Sequence, residues 1–279
     1  MKSLGLYLIA ISILTLMGCS SIVKKPNINK VKTAAIISIY ANSDVREANG
    51  GGNVKGWSDD LKQQVSLGFY DAYVDSFGKS LGWEMQSADE LIESEEYKNM
   101  FRPEFKTKNK TLNKIGGFMN KLADMSEKNS YFTPGNMHPI EISHGNMKTV
   151  SYHNAGRKDV NKTLAAMAGK LGVDAVVVVQ MDYCYEPTTL SLRGLSKAHM
   201  TAASTIRAVD KKGNMIVNMG DLKSCAKRKN RGKSKQGYGL LGGNIVVALK
   251  DQKELEQMFM EATNDNIRLT MKQLKKAMK

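Results

Sequence analysis

Along the chain, apolar residues fall into three kinds of pattern, and each predicts a different element. Ala34 to Tyr40 is an almost unbroken apolar run and Ala175 to Met181 is another, as expected of strands buried on both faces. Between them the period turns helical. Leu61, Val65, Phe69, Tyr73, Phe77 and Leu81 recur every fourth residue, with Ser58 as N-cap, Asp59 and Asp60 in the first turn, and Gly82 as the stop. A second stripe, Val160, Leu164, Met167 and Leu171, is capped by Asp159 and ends at Gly172. A third, Leu255, Phe259, Ala262, Ile267, Met271 and Leu274, follows Asp251 and Glu254 and closes the chain, with Lys272, Lys275, Lys276 and Lys279 at the negative end of its dipole. Period two appears where Met200, Ala202, Ser204, Ile206 and Ala208 alternate with His199, Thr201, Thr205 and Arg207, which predicts a half-exposed strand. Asp210 to Gly213 predicts a hairpin turn, and Met215 to Met219 the returning strand.

Shorter signals fill the gaps. Trp83 to Met85 predicts a short strand, and Ser87 with Glu90 forms a capping-box pattern for a helix reaching about Phe101. Gly50, Gly51 and Gly52 read as flexible connection. Residues 102–157, rich in Lys, Asn, Gly and Met, break every period except for an amphipathic stretch around Leu112 to Met125, and are expected to form a surface insertion. The sum is an α/β (α+β) fold: a single layered domain over residues 33–279, with a mixed sheet flanked by helices, a C-terminal meander and a closing helix.

The N-terminus changes the setting. Residues 1–18 carry one cation, Lys2, then a diluted apolar stretch, and read as a secretory signal peptide too short for a permanent span. The sequence Leu16-Met17-Gly18-Cys19 resembles the lipobox of bacterial lipoproteins, which implies acylation of Cys19 and anchoring by lipid. Ser20 after it implies sorting to the outer membrane, facing the periplasm. Residues 19–32, polar and interrupted by Pro26, are then expected to form a lipidated Cys and a flexible tether.

Charge acquires its meaning from that compartment. The chain has 41 Lys and Arg against 27 Asp and Glu, a balance that suits nucleic acid in a cytoplasm but lipid and lipopolysaccharide head groups in an envelope. No nucleic-acid partner is expected. The densest run, Lys227, Arg228, Lys229, Arg231, Lys233 and Lys235, surrounds a Gly232-Lys233-Ser234 that suggests a phosphate-binding loop. That motif needs a first glycine at position 227, which is Lys227, and a helix after the serine, where glycines follow instead. The run therefore reads as a mobile cationic loop that contacts anionic membrane.

Three cysteines occur, and with Cys19 taken by lipid, Cys184 and Cys225 are a candidate disulfide. On strands flanking a shared neighbour they would lie about 9 to 10 Å apart, beyond the roughly 7 Å reach of the bond, so pairing requires the chain after Gly220 to fold back. His138, His144 and His153 lack zinc spacing, Ser224-Cys225-Ala226-Lys227 lacks the companion motifs of a penicillin-interacting enzyme, and neither enzyme activity nor a cofactor is expected. Asp182, Tyr183, Tyr185 and Glu186, at the carboxyl end of a buried strand, are the candidate recognition surface and would equally serve a small-ligand binder or enzyme.

The segments "KTAAIISIYAN", "LGVDAVVVVQMDY" and "IRAVDKKGNMIVN" behind a lipobox resemble the α/β domain of the curli secretion lipoprotein and of lipoproteins that activate cell-wall synthases, related to the amino-terminal domain of the Tol-system propeller protein. The resemblance spans about Lys32 to Asn218 without the insertion. It implies a non-enzymatic module that binds envelope proteins or assembles with copies of itself. A pore would need hairpins of about ten residues with one apolar face, and neither the cationic run nor the insertion supplies them.

Overall fold

The two apolar runs lie side by side at the centre of one mixed sheet in a computed structural model, which describes residues 22–48, 54–55, 57–101, 131–143, 146–149, 160–190, 195–220, 225–234, 238–241, 245–246 and 252–279. The chain enters through β1 (Ile22–Val23) and one helical turn, α1 (Lys25–Ile28), then runs into β2 (Thr33–Asn42), buried from Ala34 to Ala41. Two short pieces, β3 (Arg46–Glu47) and β4 (Val54–Lys55), precede α2 (Asp59–Leu81). As its cap residues predict, Ser58 Oγ accepts from the Leu61 N–H at 3.1 Å, and Gly82 ends the helix at φ 70°, a conformation that a β-carbon disfavours. Next come β5 (Glu84–Gln86), α3 (Asp89–Glu93), α4 (Glu95–Phe101), β6 (Tyr131–Phe132), the hairpin β7 (Ile140–Ser143) and β8 (Asn146–Thr149), and α5 (Val160–Leu171). A long hairpin follows, β9 (Ala175–Leu190) with β10 (Leu195–Asp210), and then β11 (Met215–Met219). After a 3-10 turn at Cys225–Lys227 the chain forms β12 (Gly232–Lys233), β13 (Tyr238–Leu241), β14 (Ile245–Val246) and the closing helix α6 (Gln252–Ala277).

The sheet order is β1-β11-β10-β9-β2-β5, with β2 parallel to both β9 and β5, and the β9 to β1 side antiparallel. The crossovers from β2 to β5 and from β5 to β9 run in opposite directions across the sheet. Right-handed connections therefore set α2 and α5 on opposite faces. α6 shares the face of α2: Phe259 meets Tyr183 edge-on with centroids 4.8 Å apart and stacks on Trp57 at 5.1 Å. Among the described residues no helix is long and apolar enough to cross a membrane.

Four expectations need correction. Residues 22–32 do not form a tether: β1 pairs with β11, Ile22 opposite Asn218, and Ile28 and Val31 are buried in the core. These two apolar residues, three apart across a turn, outweigh the lysines around them. The surface insertion does not extend through residues 131–140, since β6 pairs with β2 and Phe132, Met137 and Ile140 are buried; the predicted helix at Leu112 to Met125 lies outside the described residues. The helix expected from Ser87 to Phe101 breaks at Ser94, which is extended and whose Oγ accepts from the Tyr97 N–H at 3.2 Å. This second cap aims the Tyr97 hydroxyl at the Ile37 carbonyl, 2.7 Å away. From Ala198 to Val209 β10 is buried on both faces apart from half-buried His199: Cys225 and Arg228 of the later chain lie against Thr201 and Thr205, and Arg207 donates to the Met219 carbonyl at 2.9 Å.

At the base of the sheet Asp174 joins three segments. Its carboxylate accepts from the Lys211 ammonium at 2.8 Å, the Lys32 N–H at 3.0 Å and the Thr33 N–H at 3.4 Å. The Lys211 hydrogen bond, followed by that of the Lys32 N–H, holds the Asp174 carboxyl down at about 2. A depressed carboxyl stabilises the fold above its unfolded value of about 4, and that contribution fades as pH falls toward the folded value. Asp174→Asn should lower the thermal midpoint at pH 7 by the equivalent of about 1 kcal/mol, allowing for solvent screening. The difference from wild type should shrink between pH 4 and pH 2 in melts recorded across that range, and a constant difference would refute the assignment.

Candidate functional site

Side chains alternate across a strand, and the far half of β9 uses the alternation to separate two kinds of residue. Tyr183 and Tyr185 turn to the face covered by α2 and α6. The Tyr183 hydroxyl shares a 2.6 Å hydrogen bond with Thr263 Oγ1, and its ring stacks on Phe132 with centroids 6.3 Å apart. Burial pushes both phenols up, Tyr185 to about 12. Asp182, Cys184 and Glu186 turn to the other face. The expected recognition surface is thus split through the sheet, its tyrosines being core and its acids lying beneath another segment.

That segment is residues 225–234. It crosses the outer face of β9 and β10, rounds the edge of β10, and ends against α6. Arg228, Asn230, Gly232 and Ser234 are buried, whereas Lys227, Lys229, Arg231 and Lys233 are exposed. This is a period-two pattern whose inward positions are all polar or glycine. Arg228, only 5 % exposed, pairs with Asp182 and donates to Thr205 Oγ1 at 3.1 Å, and Asp182 also accepts from Asn42 Nδ2 at 2.7 Å. Asn230 Nδ2 donates to the Ser204 carbonyl at 2.9 Å and to Thr270 Oγ1 at 3.1 Å. Its own carbonyl accepts from Asn266 Nδ2 at 2.6 Å, and Asn266 Oδ1 accepts from the Tyr73 hydroxyl at 3.2 Å. A buried polar chain therefore connects α2, α6, the segment and β10.

The Gly-Lys-Ser has three structural tasks. A β-carbon on Gly232 would lie 2.1 Å from the Asn266 nitrogen and 2.4 Å from the Ala262 carbonyl, so glycine alone lets the segment reach the helix backbone. Lys233 pairs with Glu186, as does Arg231 at 3.6 Å. Ser234 Oγ accepts from the Met200 N–H at 3.0 Å while the Ser234 N–H donates to the Met200 carbonyl at 2.8 Å. The expectation of a mobile cationic loop is corrected: the run from Lys227 to Lys233 is half of a packed edge, because Asp182 and Glu186, four residues apart on one face of β9, give Arg228, Arg231 and Lys233 fixed partners. Lys235 lies outside the described residues, as do Cys19, Asp159, Asp251, His144, His153 and Gly50 to Gly52.

The fold-back that a Cys184–Cys225 contact requires does occur. The two sulfurs lie 2.7 Å apart, beside Ala203, and Cys225 Sγ is 3.4 Å from the Thr201 carbonyl. The sulfur contact, and then burial, push the Cys225 thiol up. Elsewhere, a cavity of about 750 Å³ lies between the start of α2, α3 and β6, lined among others by Lys62, Glu93, Lys98 and His138. Glu186 is not part of it. Lys62 pairs with Asp59 and Lys98 with Glu93, so its charges are matched at its rim. Among the described residues no cluster of three His, Cys, Asp or Glu is arranged for a metal.

Chemically, the strand end has its carboxylates already engaged by cations and offers an outward row of Lys227, Lys229, Arg231 and Lys233 on a fixed backbone. Asn42, Thr205, Asn230 and Asn266 are parts of this site that the sequence pattern does not mark, since each is a common surface residue type. Compared with protein-family models and with curated proteins, the chain matches none.

A double-mutant cycle tests the central pair. Arg228→Met and Asp182→Leu should each cost about 3 kcal/mol in denaturant unfolding, because each leaves the other charge buried alone, and the double variant should recover at least 1 kcal/mol of their sum. Additive losses would show that the two groups are not coupled. Gly232→Ala should cost more than about 2 kcal/mol through overpacking, whereas Lys229→Ala should stay within about 0.5 kcal/mol.

Proposed function

We propose that the protein is a lipid-anchored module of the bacterial envelope, held in the outer membrane at Cys19 and facing the periplasm, that works by docking envelope proteins and not by catalysis. The observation that carries this reading is how soon the fold begins after the lipobox cysteine. Ile22, three residues beyond Cys19, is already paired in the sheet through β1. Three extended residues reach about 11 Å at most, so an acylated Cys19 would hold the β1 edge at the head-group surface. Lys24, Lys30 and Lys32 are exposed around that entry, and each cation near an anionic leaflet contributes about 1 kcal/mol. A ligand for the strand end would have to displace Arg228 from Asp182 and the Glu186 partners, which weighs against the small-ligand or enzyme alternative. Cations fixed on residues 227–233 suit an acidic partner surface instead, and the resemblance to envelope lipoproteins that bind proteins or self-assemble supports the same role.

The anchor is tested by mass spectrometry of the mature amino terminus, where a diacylglyceryl Cys19 is expected. An unmodified Cys19 or another cleavage point would remove the anchor from the proposal. Docking is tested by lysine-reactive crosslinking in intact cells. Adducts with envelope proteins are expected, reduced several-fold by Lys227→Glu combined with Lys229→Glu, and a wild-type protein that yields no adduct would contradict the role.

A further inference from the structure

We infer that Cys184 and Cys225 close a disulfide that locks residues 225–234 onto the sheet. The two sulfurs face each other at 2.7 Å across the junction of β9 with the 3-10 turn, 41 positions apart in sequence. Both are buried, at 6 % and 7 % exposure, in a small cluster whose other buried member is Ala203. Arg228 follows Cys225 by three residues, so the same turn that presents the sulfur also delivers the guanidinium to Asp182. The bond and the buried ion pair would then fix one register together.

The chemistry is thiol–disulfide exchange with an oxidised dithiol or glutathione disulfide, and it rests on export of the chain to an oxidising compartment. One cysteine thiolate attacks the oxidant's disulfide and expels a thiolate, forming a mixed disulfide. The second cysteine thiolate attacks that bond at the protein sulfur and expels the other half of the oxidant. Two protons and two electrons leave the protein, and the oxidant departs as two thiols. Exchange must come before the segment seats, since the seated thiols are covered and Cys225 is held protonated. Once formed, the bond is shielded by the same burial.

The test uses the mature chain, reduced in denaturant and refolded in a glutathione redox buffer, then quenched with acid, denatured and alkylated. Non-reducing digestion should yield a linked Cys184–Cys225 peptide, with both cysteines alkylated only after reduction. Alkylation of both without reduction would overturn the inference, and this readout is independent of export, which the mass of the amino terminus decides. In the folded oxidised protein, dithiothreitol should cleave the bond at least tenfold more slowly than in denaturant. Reduction should lower the melting midpoint by on the order of 10 °C, from the loop that the link closes. It should also raise amide exchange across Arg228 to Ser234. Equal exchange in the two redox states would show that the bond does not lock the segment.

Discussion

A guanidinium almost wholly out of water is costly unless a carboxylate and further acceptors replace the lost hydration, and that requirement at Arg228 organises the far end of this fold. Its partner Asp182 stands on β9, is braced by Asn42 from the end of β2, and lies opposite Ala203 of β10. Thr205, on the same outward face of β10, takes a second guanidinium donor. One side chain thus requires β2, β9 and β10 to be in register and the following segment to return across them. Buried ion pairs of this kind are weak sources of net stability, because apolar replacements of similar size often do as well. What the pair supplies is exclusion of alternatives, since any other seating of residues 225–234 leaves two charges stranded.

From that anchor the rest of the edge follows. β10 is sixteen residues long and pairs along its inner side with β9 from Ser196 to Asp210, so its outer side would be a long row of unpaired backbone groups. Such an edge invites pairing with another chain. Here β11 takes residues 206–209, β12 takes Thr201 and Ala202, and β13 takes residues 195–198. The middle portion is short because the segment must also reach α6, and Gly232 with the Asn230–Asn266 bond is how it does so. A strand rarely carries so many polar inward positions, yet each has a named partner, which is the condition under which a buried polar network adds rigidity.

What was legible in the sequence is what is local. Ser58 and Gly82 bound α2 because caps act within one turn, and the Ala34 and Ala175 runs could only be doubly buried strands. The edge segment was not legible, because hydrophobicity is blind to a period whose inward positions are Arg228, Asn230, Gly232 and Ser234. Its meaning depends on acids 46 and 47 residues away. The splitting of Tyr183 and Tyr185 from Asp182 and Glu186 is legible from strand alternation alone. Ile28 and Val31 were hidden differently: two apolar residues among lysines carry no periodic signal, although the core accepts them both.

Rigidity also changes what the cations can do. On a mobile loop, six charges would attract any anionic surface diffusely, and ordering the loop on a partner would cost on the order of 1 kcal/mol per residue in backbone freedom. On the packed segment that cost is already met in folding, so a partner loses only side-chain freedom. The charges are not equivalent either. Arg231 and Lys233, 41 % and 43 % exposed, share Glu186, which offsets one of their two positive charges, whereas Lys227 and Lys229 project from the turn and the residue after Arg228. Exposed paired charges contribute little to binding. The surface that these charges would offer an acidic partner is therefore narrower than the composition implies: two projecting lysines beside a trio of net charge +1, on a backbone held in place by a buried charge.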